Sequence, residues 1–88
     1  MVSENLVMSN KLGMHARPAT LFVQTASRFS SEVTVTKDGV NVNGKSIMGM
    51  LLLAAERGST LTLAVSGSDE AEALRALKAL FERKFDEE

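Results

Sequence analysis

Two alternating runs joined by Asp-Gly restrict this chain more than any other stretch. Glu32 to Lys37 reads E-V-T-V-T-K, rich in β-branched residues, and Val40-Asn41-Val42-Asn43 alternates again. Period-two alternation predicts strands. Between them, Asp38-Gly39 suits the positive φ angles of a type I′ turn, so the segment predicts a tight antiparallel hairpin. This matters because Gly39 to Ser46, "GVNVNGKS", also spells G-x-x-x-x-G-K-[ST], the phosphate-cradling loop of nucleotide-hydrolysing proteins. Such a loop wraps backbone amides round an anion, which a sheet-paired strand cannot do. Length argues the same way. With about 30 residues per βαβ unit, 88 residues hold two or three units at most. The string match is therefore expected to be coincidental.

The remaining elements follow from spacing and caps. Leu6 and Met8 sit at period two before a loop through Gly13. From Ala16 to Phe29, Phe22, Ala26 and Phe29 recur at helical spacing, with Pro18 in the first turn, where its missing N–H costs little. Ser46 stands at a cap position ahead of the apolar run from Ile47, and Gly58 is read as closing that segment. Leu61, Leu63 and Val65 alternate as a fourth strand. Asp69 and Glu72 have capping-box spacing before a last helix with Leu74, Leu77, Leu80, Phe81 and Phe85 on one stripe. The predicted order is β-α-β-β-α-β-α, with residues 1–88 as a single domain.

Composition excludes several functions. There is no cysteine, hence no disulfide framework and no thiolate metal site. A net charge of −1 without a basic run, and the absence of Trp and Tyr, argue against nucleic-acid binding. The first ten residues lack a secretory signal pattern and no apolar run approaches a bilayer span, so a cytoplasmic protein without membrane insertion is expected.

The single histidine stands in Gly13-Met14-His15-Ala16-Arg17-Pro18-Ala19. It precedes the first helical residue, where unpaired amides and the helix dipole favour an anion. Arg17 is near enough to add charge-assisted bonds. The same field disfavours imidazolium and favours a neutral, nucleophilic ring near pH 7. A histidine here can accept a phosphoryl group, or can merely cap the helix or lie exposed. Local physics leaves both open. A metal site has no second histidine or cysteine to build it, and a hydrolytic triad has neither an elbow motif nor an acid evidently placed to orient the ring.

Two further features stand out. Ile47 to Ala55 is apolar almost all round, yet a short helix in a small domain buries one face, so some of Ile47, Met48, Met50 and Leu51 are expected at the surface. Exposed methionine suits docking to several partners; full coverage by the sheet and first helix is the alternative. Ser46 reads as a simple cap. Phosphorylated, it would place about −2 charge at a helix N-terminus beside Ile47 and Met48 and disrupt docking without unfolding the helix.

Gly13-Met14-His15-Ala16-Arg17-Pro18-Ala19 resembles the active-site signature of the HPr family, the histidine-containing phosphocarriers of the bacterial sugar phosphotransferase system. Gly44-Lys45-Ser46-Ile47-Met48-Gly49 resembles that family's second motif at the family's spacing, and the resemblance covers essentially the whole chain. It implies an α+β open-faced β-sandwich, with a four-stranded antiparallel sheet covered on one face by three helices. It further implies that His15 takes a phosphoryl group on Nδ1 from phosphorylated enzyme I, charged by phosphoenolpyruvate, and passes it to IIA domains of sugar transporters. Arg17 matches the arginine that stabilises the transferring group. Ser46 matches the serine modified by HPr kinase/phosphorylase in carbon-catabolite control, where a transcription factor is the partner. Ala16, Thr20, Ile47, Met48 and Leu51 match docking positions.

By this resemblance the chain is a carrier consumed and regenerated by other enzymes, without a cofactor of its own, and a monomer is expected. Met14 departs from the usual leucine or isoleucine, a volume-conserving change. Gln24 and Ser27 leave the far end of the first helix less basic than in some members, with Arg28 as a substitute. A regulatory binding module, in the nitrogen-related or the catabolite-repression branch, is the alternative reading.

Overall fold

The computed structural model describes residues 1–87. Its elements are β1 (Val2–Val7), α1 (Ala16–Ala26), β2 (Glu32–Lys37), β3 (Val40–Asn43), α2 (Ile47–Leu52), β4 (Thr60–Ser66) and α3 (Glu70–Glu82), followed by a 3₁₀ turn at Lys84–Asp86. The strands form one sheet in the order β1-β4-β2-β3, every neighbouring pair antiparallel. The predicted α+β open-faced sandwich is what the chain forms.

The hairpin forms as the alternation requires. Lys37 pairs with Val40, and Asp38 and Gly39 both take positive φ, 51° and 81°, as a type I′ turn demands. Past the turn, the Gly44 amide donates to Val33 O, the Lys45 amide to Asn43 Oδ1 and the Ser46 amide to Asn43 O. All three are committed inside the chain, so the G-x-x-x-x-G-K-S string makes no anion cradle.

Alternation sets the core. Leu61, Leu63 and Val65 of β4 and Val33 and Val35 of β2 point to the helical side, where Phe22 of α1, Met50 of α2 and Leu77 of α3 are buried against them. Phe22 meets Phe81 edge-on, with ring centroids 6.3 Å apart.

Three expected boundaries move, and one expected cap bonds elsewhere. α1 ends at Ala26 rather than Phe29, because the Arg28 and Phe29 amides bond to carbonyls three residues back and the chain tightens out of the α-helix. α2 stops at Leu52, well before Gly58; Ala54 takes a positive φ, and Gly58 turns the chain into β4 instead. Asp69 caps no amide of its own helix. Its carboxylate accepts from the Ser30 and Ser31 amides at 2.9 and 3.0 Å and from the Ser31 hydroxyl, a tertiary clamp in place of a capping box. Finally, Phe85 lies beyond α3. Lys84, Phe85 and Asp86 are consecutively left-handed (φ 54°, 56° and 59°), and this turn, rather than a longer helix, delivers Phe85 into the core beside Phe81.

Candidate functional site

The loop from β1 into α1 is strapped down from both sides. The Met14 amide donates to Ala55 O at 2.8 Å, and the buried Met14 side chain joins the core. Gly13 takes a φ of +69°, and a Cβ there would collide with the Ala55 carbonyl oxygen. Buried Asn10 donates its side-chain amide to Gly13 O at 2.8 Å. His15 is thereby delivered to the N-cap of α1 with extended backbone (φ −89°, ψ −171°), its carbonyl accepting from the Ala19 amide at 3.0 Å.

The ring caps no amide of the helix. Instead Nε2 faces the Glu87 carboxylate, 2.9 Å from Oε2 and 3.1 Å from Oε1. Asn10 Nδ2 donates to the same carboxylate at 2.9 Å. Nδ1 has no hydrogen-bond partner among the described residues, and the His15 side chain is 35% exposed. The ring is therefore held by one nitrogen with the other left open. An orienting acid exists after all, and it comes from the far end of the chain.

Burial raises the Glu87 pKa, but the hydrogen bonds from His15 and Asn10, with the positive charge of His15 and Arg17, outweigh it and hold the carboxyl below its ordinary range. Arg17 is exposed and forms no ion pair among the described residues. It lines one shallow depression with Lys11, Leu12, Asp86 and Glu87, and a second with Ala16, Thr20, Leu21, Gln24, Phe85 and Asp86. Pro18 is buried in the first turn of α1 as anticipated. His15, Arg17, Ala16 and Thr20 thus share one end of the molecule. Thr20 spends its hydroxyl on Ala16 O at 2.8 Å.

Ser46 caps α2, its Oγ accepting from the Gly49 amide at 3.0 Å. Ile47, Met48 and Leu51 are exposed as expected, whereas Met50 is fully buried, since it lies on the opposite face of the helix. Leu52 (73% exposed) and Leu12 (71%) join the exposed apolar set. Leu52 was legible as the helical neighbour of Met48 at i+4; Leu12, in a loop, carried no periodic signal. Among the described residues no cluster of His, Cys, Asp and Glu could hold a metal ion. Nor, among the described residues, is any helix long and apolar enough to cross a membrane.

The family profile described as PTS HPr component phosphorylation site matches residues 2–83. This chain belongs to the HPr family. It is 52% identical over 87 residues to phosphocarrier protein HPr of Neisseria meningitidis serogroup A, covering 99% of this chain and 98% of that protein. It is 51% identical over 84 residues to the HPr-like protein Crh of Halalkalibacterium halodurans, covering 96% and 100%. The crystal structure of HPr-C-His from Thermoanaerobacter tengcongensis superposes with a TM-score of 0.97 at 51% identity, over 100% of this chain and 99% of that one. An HPr dimer from the same organism superposes with a TM-score of 0.78 at 50% identity, over 97% and 98%. HPr proteins are phosphocarriers rather than enzymes. In that light, a half-buried histidine at a helix N-terminus, with no nucleotide cradle among the described residues, is chemically coherent.

Proposed function

We propose that this HPr protein carries a phosphoryl group on Nδ1 of His15, taking it from phosphorylated enzyme I and giving it to IIA domains in the cytoplasm. The observation that carries this reading is the open Nδ1 of a ring placed at the N-cap of α1, with Arg17 beside it. In acceptance, the Nδ1 lone pair forms the N–P bond while the bond from phosphorus to the donor breaks. Arg17 and the unpaired first-turn amides of α1 would meet the charge on the equatorial oxygens. Positioning by the partner supplies much of the rate.

Ile47, Met48, Leu51 and Leu52, with Ala16 and Thr20, form the docking surface in this reading. The single domain acts as a monomer, presenting that surface to each partner in turn; sedimentation at working concentration tests this against pairing like that of the T. tengcongensis dimer. Incubation with enzyme I, Mg²⁺ and phosphoenolpyruvate should add one phosphate to the intact mass, and brief acid should remove it. His15→Ala should abolish the gain. Survival of the label in that variant overturns the assignment.

The likeness to Crh favours a second role at Ser46, in the catabolite-repression branch. A kinase of the HPr kinase/phosphorylase type would modify it, and the product would recruit a transcription factor. An acid-stable phosphate on Ser46 is the expected signature, and its absence with an active kinase sinks this role.

A further inference from the structure

Three features converge on Glu87. The first is the pair of contacts from its carboxylate to His15 Nε2. The second is the route the chain takes to reach it, through three consecutive left-handed residues that L-amino acids enter at a cost. The third is buried Asn10, which spends its amide on Gly13 O and on Glu87 and leaves its own Oδ1 without a partner. An orphaned buried acceptor and a left-handed turn are both unfavourable. What they obtain together is a carboxylate fixed against one nitrogen of the ring.

We propose that Glu87 is a positioning residue that sets the tautomer of His15, keeping the proton on Nε2 so that the lone pair stands on Nδ1. A carboxylate held below its ordinary range accepts and cannot donate, so the nitrogen facing it must carry the hydrogen. This rests on the reading of His15 as phosphoryl acceptor and adds the reason why Nδ1 is the acceptor atom. When Nδ1 attacks, the N–P bond forms, the bond from phosphorus to the donor breaks, and the ring becomes a phosphorylated imidazolium whose Nε2–H still bonds Glu87. In onward transfer the N–P bond breaks, its electron pair returns to Nδ1, and neutral imidazole leaves with the proton on Nε2. Without that proton the leaving group would be imidazolate, which departs far less readily. One carboxylate therefore serves both half-reactions and never touches the phosphoryl group. The charged groups round it are Lys11 and Arg17, of opposite sign, and Asp86 from its own turn.

The test compares Glu87→Ala with Glu87→Gln, whose amide oxygen still accepts from Nε2–H but carries no charge. Two-bond ¹H–¹⁵N correlation spectra of the unphosphorylated protein, recorded where the ring is neutral, read the tautomer directly. The wild type should be almost wholly Nε2–H, Glu87→Ala should populate Nδ1–H measurably, and Glu87→Gln should stay with the wild type. Labelling by enzyme I should slow about tenfold in Glu87→Ala, the loss of one charge-assisted hydrogen bond, and less in Glu87→Gln. A wild type dominated by Nδ1–H, or a Glu87→Ala variant with unchanged tautomer or labelling rate, overturns the proposal. Failure of the wild type to be labelled at all strikes the carrier reading instead, while the tautomer spectra still decide the role of Glu87. Both variants lie outside the core, so retained amide dispersion separates these results from misfolding.

Discussion

Ser46 has two roles that a single substitution would confuse and a pair can separate. Its Oγ accepts from the Gly49 amide, satisfying one of the orphan donors of a helix only six residues long. Ser46→Ala removes that acceptor and should lower stability by about 1 kcal/mol in urea unfolding. Aspartate caps about as well as serine, and its charge suits a helix N-terminus, so Ser46→Asp should stay within about 0.5 kcal/mol of the wild type. It nevertheless puts charge beside exposed Ile47 and Met48, and affinity for enzyme I should fall about tenfold. Unchanged affinity would remove the docking-switch idea, and a large stability loss would mean that the cap is not as described. The cap was legible because it depends on local spacing alone. The Glu87 contact was not, because it joins residues 72 apart in sequence. The one hint was Phe85, four residues after Phe81, an apolar anchor that fixes where the following residues emerge.

Helix α3 illustrates how a correct local pattern can serve a tertiary purpose. Asp69 precedes it with capping-box spacing, yet its carboxylate turns away to tie the Ser30–Ser31 entry into β2. Spacing within six residues cannot reveal a partner nearly forty positions earlier. Glu70 takes over locally, accepting from the Gly67 amide at 3.1 Å. The hydroxyl of Ser31, then the amides of Ser30 and Ser31, hold the Asp69 pKa below its ordinary value of 3.8. Between the folded and unfolded pKa values the unfolded chain binds more protons, so stability rises with pH there. The contribution is fully present above about pH 4 and is lost as pH falls through the folded value. Asp69→Asn should therefore be less stable than the wild type at neutral pH, with the two unfolding midpoints converging as pH falls below the ordinary carboxyl value and through the lower folded one. A constant gap across that range would mean that the clamp does not depend on the charge.

A one-layer sheet covered on a single face has few residues with which to build a core, and this chain uses the core to hold its C-terminal turn against the loop from β1 into α1. The face away from the helices carries Asn5, Thr34, Thr36, Asn41, Asn43 and Thr62, with Thr36 bonded to Asn41 and Thr62 to Asn5. Alternation made that division readable in every strand, because period two assigns each residue to one side. How the C-terminal turn meets the loop from β1 into α1 was not readable, because it depends on three left-handed residues that no propensity favours. Phe85 is the hinge of that arrangement: buried, 5.0 Å from Phe81 between ring centroids, and two residues before Glu87. Phe85→Ala should cost about 3 kcal/mol, a large part of the total for a domain of this size, which is about 5–10 kcal/mol. The fold should survive that loss, but the tail should not stay docked. The side-chain amide of Asn10, shielded while Glu87 lies across it, should then exchange with water much faster, whereas amides in β2 and β4 keep protection in proportion to global stability. If Asn10 and the sheet lose protection equally, the tail and core unfold as one unit. Selective loss at Asn10 would instead identify a latch that opens below the global barrier, with Phe85 as the residue that closes it over His15.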